Sequence, residues 1–201
     1  MINEVIFDVE TKKLFGDIET VDPAGLGVSL VSLYKRTLND SFEETKGEMI
    51  SLWESELDQL WPTFSSADRI IGFNSIKFDA EALQPLAPYN LLKLKHFDIM
   101  DTVKNIIGRR ISLNAFAKDT LGKGKIDDGI NAVLYYQKGD RESLAKLKKY
   151  CEMDVLITKE LYDFGFKNKY LKYTDRWNTP RVVEVDFSYP KKEGINQIGL
   201  F

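Results

Sequence analysis

The chain has 201 residues, 43% hydrophobic and 29% charged, with a net charge of −3. That composition suits one large soluble domain with a real core, and it gives no support for nucleic-acid binding through overall charge. No apolar run approaches the roughly eighteen residues that a membrane span needs, and the one cysteine, Cys151, excludes an internal disulfide and a multi-cysteine zinc site.

Residues 3–10 alternate and include Val5, Ile6, Phe7 and Val9, which predicts a central first strand. Residues 12–25 are polar, with Gly16 and Pro23, and read as a loop. A second strand is expected over 27–36, a turn at Asn39-Asp40 and a third strand over 41–45, giving an antiparallel meander. From 48 to 64 the apolar positions Ile50, Leu52, Trp53, Leu57, Leu60, Trp61 and Phe64 fit a helical period. A short buried strand follows over 68–73, then a helix over 77–86 and a further short strand over 96–99. Helices are expected over 100–108, 113–121 and 130–137, with a Gly/Lys-rich loop at 122–129, and a long helix runs from 141 to about 164. Past Lys167 the character changes: residues 170–201 show one strand pattern, 181–187, beside Pro180 and Pro190. The expected organisation is a domain over 1–167 and a tail over 168–201 that packs on it or reaches a protein partner. Residues 1–4 lack a basic region followed by an apolar stretch, so no signal peptide and a reducing, cytoplasmic setting are expected.

Three short segments carry the chemistry. Asp8 and Glu10 are two apart on a strand and share a face with Ile6, while Phe7 and Val9 take the other. An isolated Asp-x-Glu mostly points to solvent; within so apolar a strand it is harder to dismiss. Tyr150 and Asp154 are four apart on a helix and share a face. Asp79 stands at a strand–turn–helix junction, where first-turn helix stabilisation is the plain alternative. Four carboxylates carry −4, which two divalent cations balance, and oxygen-only ligands suit Mg²⁺ or Mn²⁺. His96, the one histidine, is expected to be structural or exposed.

Together the segments resemble the three motifs of the DEDD superfamily of 3′–5′ exonucleases, which have the ribonuclease H-like fold. Phe7-Asp8-Val9-Glu10-Thr11 resembles the first motif, Asn74-Ser75-Ile76-Lys77-Phe78-Asp79 the second, and Tyr150-Cys151-Glu152-Met153-Asp154 the third in its tyrosine form. The histidine form needs a His at 149, where this chain has Lys149. Ser112-Leu113-Asn114-Ala115 and Leu121-Gly122 are similar to the matching segment of family-B DNA polymerase exonuclease domains, and stand-alone YprB-like proteins are closer in size. The resemblance covers roughly residues 3–165.

It implies an α/β fold with a ribonuclease H-like mixed sheet, an antiparallel meander plus parallel strands, flanked by helices. It implies that Asp8, Glu10, Asp79 and Asp154 bind two ions, Mg²⁺ or Mn²⁺, and that Tyr150 orients the attacking water. Thr11 and Asn74 would hold the 3′-terminal nucleotide of single-stranded DNA or RNA, which leaves as a nucleoside monophosphate. Phe78 is a stacking candidate with core packing favoured. Of the basic residues, Arg109-Arg110 leads, ahead of Lys12-Lys13, Lys77, Lys93, Lys95, Lys118, Lys123 and Lys125, most of which read as a solvated face; Lys146, Lys148 and Lys149 read as the outer side of the last long helix. The competing readings are a non-catalytic nucleic-acid-binding module, a structure-selective endonuclease of ribonuclease H type, and an interaction protein that recruits through its tail.

Overall fold

The computed structural model describes residues 1–123 and 129–190. Lys125, most of the loop expected at 122–129 and residues 191–201 of the tail lie outside them.

Five strands form the central sheet: β1 (Ile2–Thr11), β2 (Val28–Leu38), β3 (Glu44–Trp53), β4 (Arg69–Gly72) and β5 (His96–Asp98). Their order across the sheet is β3-β2-β1-β4-β5. The β1–β2 and β2–β3 pairs are antiparallel, whereas β4 and β5 add in parallel. This is the mixed sheet of a ribonuclease H-like α/β fold.

Alternation along β1 divides the core in two. Val5, Phe7 and Val9 face α1 (Leu60–Ser66) and α2 (Asp79–Leu83), packing with Leu60, Phe64 and Leu83. Ile6 faces the long helix α6 (Arg141–Asn168), which contributes Val155, Leu161 and Tyr162 to that side. Three further helices, α3 (Ile99–Ile107), α4 (Leu113–Phe116) and α5 (Gly129–Lys138), complete the layers. Asp140 caps α6 by accepting from the N–H groups of Glu142 and Ser143, which fixes where the helix starts. No helix among the described residues is long and apolar enough to cross a membrane.

Three expectations are corrected. The third strand is not 41–45, and residues 48–53 are not helical: β3 runs to Trp53, and only from Glu54 does the expected helical stretch begin, as a 3₁₀ helix over Glu54–Gln59 that leads into α1. Ile50, Leu52 and Trp53 fit either period, and nine paired positions along β2, Leu30 to Leu38, decide for strand. The tail holds a hairpin rather than one strand: β6 (Tyr170–Thr174) pairs with β7 (Pro180–Glu184). Leu171, Val183, Val185 and Phe187 are buried in the α6-side core. Gly165 on α6 makes room for Phe187, since a Cβ there would overlap the Phe187 ring.

Candidate functional site

The site follows from the unequal lengths of β1 and β4. The two strands pair only over Glu4, Val5 and Ile6, and β4 ends at Gly72, level with Phe7, so residues 8–11 of β1 run past the end of β4. On that overhang the Val9 N–H has no strand neighbour on the β4 side, and it donates to Asp79 Oδ1 at 2.9 Å. Asp79, the first residue of α2, is thereby fixed against the back of β1, although its helix belongs to the opposite layer.

The turn from β4 into α2 is tight. Ser75 sits so close to Gly72 that a Cβ there would overlap it. Asn74 takes a left-handed φ of 66°. Asp98, buried at the end of β5, holds this turn by accepting the N–H groups of Asn74 (2.9 Å) and Ile76 (3.0 Å), and caps α3 through Asp101 N–H (3.0 Å).

Asp8 and Glu10 project toward α6, as period two requires. There the helix presents Tyr150, Cys151 and Asp154 on one face. A cleft of about 380 Å³ is lined by Asp8, Glu10, Thr11, Phe78, Tyr150 and Asp154, with Lys13 and Phe15 at its side. Cavities of about 570 and 970 Å³ lie elsewhere, but neither gathers a carboxylate cluster, so chemistry rather than volume picks the site. The Cys151 thiol donates to the Asp8 carbonyl oxygen and to Asp8 Oδ2, both at 3.6 Å.

The electrostatics are one-sided. None of the four carboxylates makes an ion pair among the described residues. Burial, then repulsion from Asp79, Asp154 and Glu10, raises the Asp8 carboxyl well above the ordinary carboxylate range. Burial with repulsion from Asp154 and Asp79 does the same to Glu10, which is 7% exposed. Burial pushes Asp79 up to about 7, against the pull of the Val9 N–H. Burial raises Asp154 to about 6, against the pull of the nearby Tyr150 hydroxyl. Burial and the three carboxylates Asp154, Glu10 and Asp8 hold the Tyr150 phenol above its ordinary value, so it stays a donor.

Such a cluster calls for a cation. The ligand atoms of Asp8, Glu10 and Cys151 lie within 4.8 Å of one another. Burial pushes the thiol well above its ordinary value, so Cys151 acts as a hydrogen-bond donor to Asp8 rather than a thiolate ligand. The remaining donors are carboxylate oxygens, which fit a hard divalent ion such as Mg²⁺ or Mn²⁺.

The other expected residues separate into groups. Thr11 lines the cleft and donates to Lys13 O at 2.9 Å. Phe78 is not in the core, against the packing reading; it is half-buried in the cleft wall, edge-on to Phe15 at 6.1 Å. Arg110 Nη2 donates to Asn74 Oδ1 at 2.7 Å, whereas Arg109 turns to the Tyr173 ring, 5.3 Å away. Lys12, Lys77 and Lys123 are taken up by Glu54, Asp101 and Glu160. Lys146 and Lys148 pair with Glu142 and Glu152 along α6, and Lys149 is exposed. His96 Nε2 bonds to Leu91 O at 2.8 Å, a structural role. Sequence reasoning missed Asp98 and the Cys151 contact. Only the position of Asp98 at the end of a strand, before a helix, hinted at a cap.

Residues 5–164 match the RNase_H_2 family model of the RNase_H superfamily. No curated protein sequence matches the chain. Among solved structures, the chain is similar to the family B DNA polymerase of the hyperthermophilic archaeon Pyrobaculum calidifontis, with a TM-score of 0.56 and 15% identity. The match covers 82% of this chain and 24% of the polymerase, so the likeness is one of fold over a fraction of that enzyme's length.

Proposed function

The chain belongs to the RNase_H superfamily, and from that premise we propose that it is a metal-dependent 3′–5′ exonuclease of the tyrosine branch. Its substrate on this reading is the 3′ end of single-stranded DNA or RNA, and its products are nucleoside 5′-monophosphates. One observation carries the proposal: Asp8, Glu10, Asp79 and Asp154 converge from a strand and two helices into one cluster, Glu10 and Asp79 buried and Asp8 and Asp154 half-buried, with no basic partner among the described residues.

In the proposed mechanism these four residues hold two Mg²⁺ or Mn²⁺ ions. Such ions, when bound, polarise the scissile phosphate and ease deprotonation of water. The chain supplies the rest. Tyr150, still a phenol and set beside Asp154, stands at the cleft wall where its hydroxyl would orient a water toward the phosphorus. Thr11, in the cleft wall, and Asn74, five residues before Asp79, are candidate holders of the terminal nucleotide, with Arg110 fixing the Asn74 amide. Phe78 and Phe15 offer an aromatic wall for the terminal base.

The functional division proposed is that residues 1–167 carry the chemistry and residues 168–201 carry recognition. Within 191–201 the segment Gln197-Ile198-Gly199-Leu200-Phe201 puts one amide and three large apolar side chains in five residues, a composition suited to docking in a partner's apolar pocket.

The test is cleavage of matched DNA and RNA oligonucleotides, linear and circular, with Mn²⁺, Mg²⁺ or chelator. Stepwise loss of 3′ nucleotides from linear single strands, stopped by chelator and absent on circles, is expected. Cutting of circles would favour the endonuclease reading, and intact linear strands the binding module.

A further inference from the structure

The β6–β7 hairpin carries a feature that packing does not explain. Trp177, in its turn, is 69% exposed, whereas Trp61 is buried and Trp53 half-buried. The turn is firmly built. Asp175 Oδ1 accepts the N–H groups of Trp177 (2.9 Å) and Thr179 (3.0 Å), and Oδ2 accepts Arg181 Nε (2.9 Å). The hairpin is also pinned at its base, where Thr120 Oγ1 donates to Lys172 O and accepts from Lys172 N–H, each at 2.9 Å. An indole is thus held out to solvent on an ordered support, with the Arg176 guanidinium 4.1 Å from its ring centroid.

This surface is connected to the cleft by contacts. Beside the hairpin lies a groove of about 570 Å³ whose lining includes Lys118, Lys172, Tyr173 and Arg181. Tyr173 faces Arg109, whose Nη2 has no hydrogen-bond partner among the described residues. Arg110, the next residue, bonds to Asn74, five positions before Asp79. Lys118, Lys172 and Arg176 make no ion pair among the described residues. Among the described residues, exposed apolar surface here is confined to Trp177 and Val182, set among Lys118, Lys172 and Arg176, with Arg181 paired to Asp175 and Asp119 the one carboxylate lining the groove, which does not suit an apolar protein interface.

We propose that this strip is the track for the single strand that extends from the cleft, with lysines and arginines on the phosphates and Trp177 stacked on a base. The inference rests on the exonuclease reading for its direction. The hairpin then sets how much strand beyond the terminal nucleotide the protein grips, so it governs affinity for long substrates and leaves the reacting bond alone.

The experiment measures binding of labelled 12-nucleotide DNA and RNA single strands, under chelator, by fluorescence anisotropy, beside cleavage of trinucleotides with Mn²⁺. Trp177→Ala should weaken 12-mer binding on the order of tenfold, Trp177→Phe should retain most of it, and Lys118→Ala with Lys172→Ala should lower the salt dependence. Trinucleotide cleavage should stay at the wild-type rate in all three. Equal 12-mer affinity in wild type and Trp177→Ala, no binding by wild type at low salt, or equal affinity for a blunt duplex overturns the track. Trp177-dependent binding without cleavage of any substrate upholds the track and sinks the exonuclease reading instead. Whether the DNA or the RNA arm responds assigns the sugar.

Discussion

The first strand buries ionisable groups at both ends and treats them in opposite ways. Near its start, Glu4 is buried and fully matched: Oε2 accepts Arg36 Nε and Nη2, both at 2.8 Å, while Oε1 accepts the Tyr162 and Tyr189 hydroxyls. Arg69, also buried, donates to the Tyr162 hydroxyl and to the carbonyls of Phe187 and Ser188, each at 2.8 Å. Near its end, Asp8 and Glu10 meet, among the described residues, further carboxylates, a phenol and a thiol and no cation. Burial of a charge is therefore not the functional sign in this fold. The sign is burial without a partner, because a protein keeps such an arrangement at a cost in stability unless a ligand completes it.

The sharpest break in that comparison comes from single substitutions at the unmatched end. Asp8→Asn or Asp154→Asn should cut Mn²⁺-dependent cleavage by about a thousandfold or more, close to 4 kcal/mol of barrier. Tyr150→Phe should cost less, on the order of a hundredfold, by removing only the orienting hydroxyl. The melting temperature of metal-free Asp8→Asn should match or exceed the wild-type value, since a repelling charge is gone; a large drop would remove the contrast between the ends. At the matched end, Arg36→Met should cost about 3–5 kcal/mol in urea unfolding, by stranding Glu4, and a neutral result there would show that its pairing is dispensable.

The smallest effect is one of pH. Asp79 and Asp154 have folded values near 7 and 6, raised from 3.8. A raised carboxyl binds its proton more tightly when folded, so its contribution is complete below about pH 4 and is lost as pH rises through 6–7. The metal-free protein should therefore lose a few degrees of melting temperature between pH 5 and pH 8, and Asp79→Asn should flatten the loss. Mn²⁺ at pH 8 should restore it. A metal-free melting temperature that climbs over this range would contradict the unpaired cluster.

Much of this was legible in the sequence because its signals are local. Period two placed Asp8 and Glu10 on one face, and a four-residue step placed Tyr150 and Asp154 on another. The strands β1, β2 and β4 and the long helix α6 also announce themselves by composition. Residues 48–53 did not, because their apolar positions satisfy two periods and only the pairing with β2 chooses. Asp98 was hidden because its partners are backbone N–H groups up to 24 residues upstream, which no side-chain pattern records. Arg109 and Arg110 look like one basic unit in sequence, yet they point to Tyr173 and Asn74 respectively. The Glu4–Arg36–Arg69 network spans strands and a late segment, so only the fold reveals it.

The seat for Phe187 has a consequence for how the molecule assembles. Its receptor is composite: Gly165 on α6 opens the space, and Arg69 on β4 grips the carbonyls of residues 187 and 188. Neither half exists until the sheet and the long helix have docked. During synthesis the segment that completes Arg69 emerges about 120 residues after Arg69 itself, and at roughly 5–20 residues per second that leaves many seconds of waiting. Over that interval the nascent domain holds an unfinished guanidinium and a half-solvated Glu4. The Phe187–Ser188 segment is thus the latch that closes the fold.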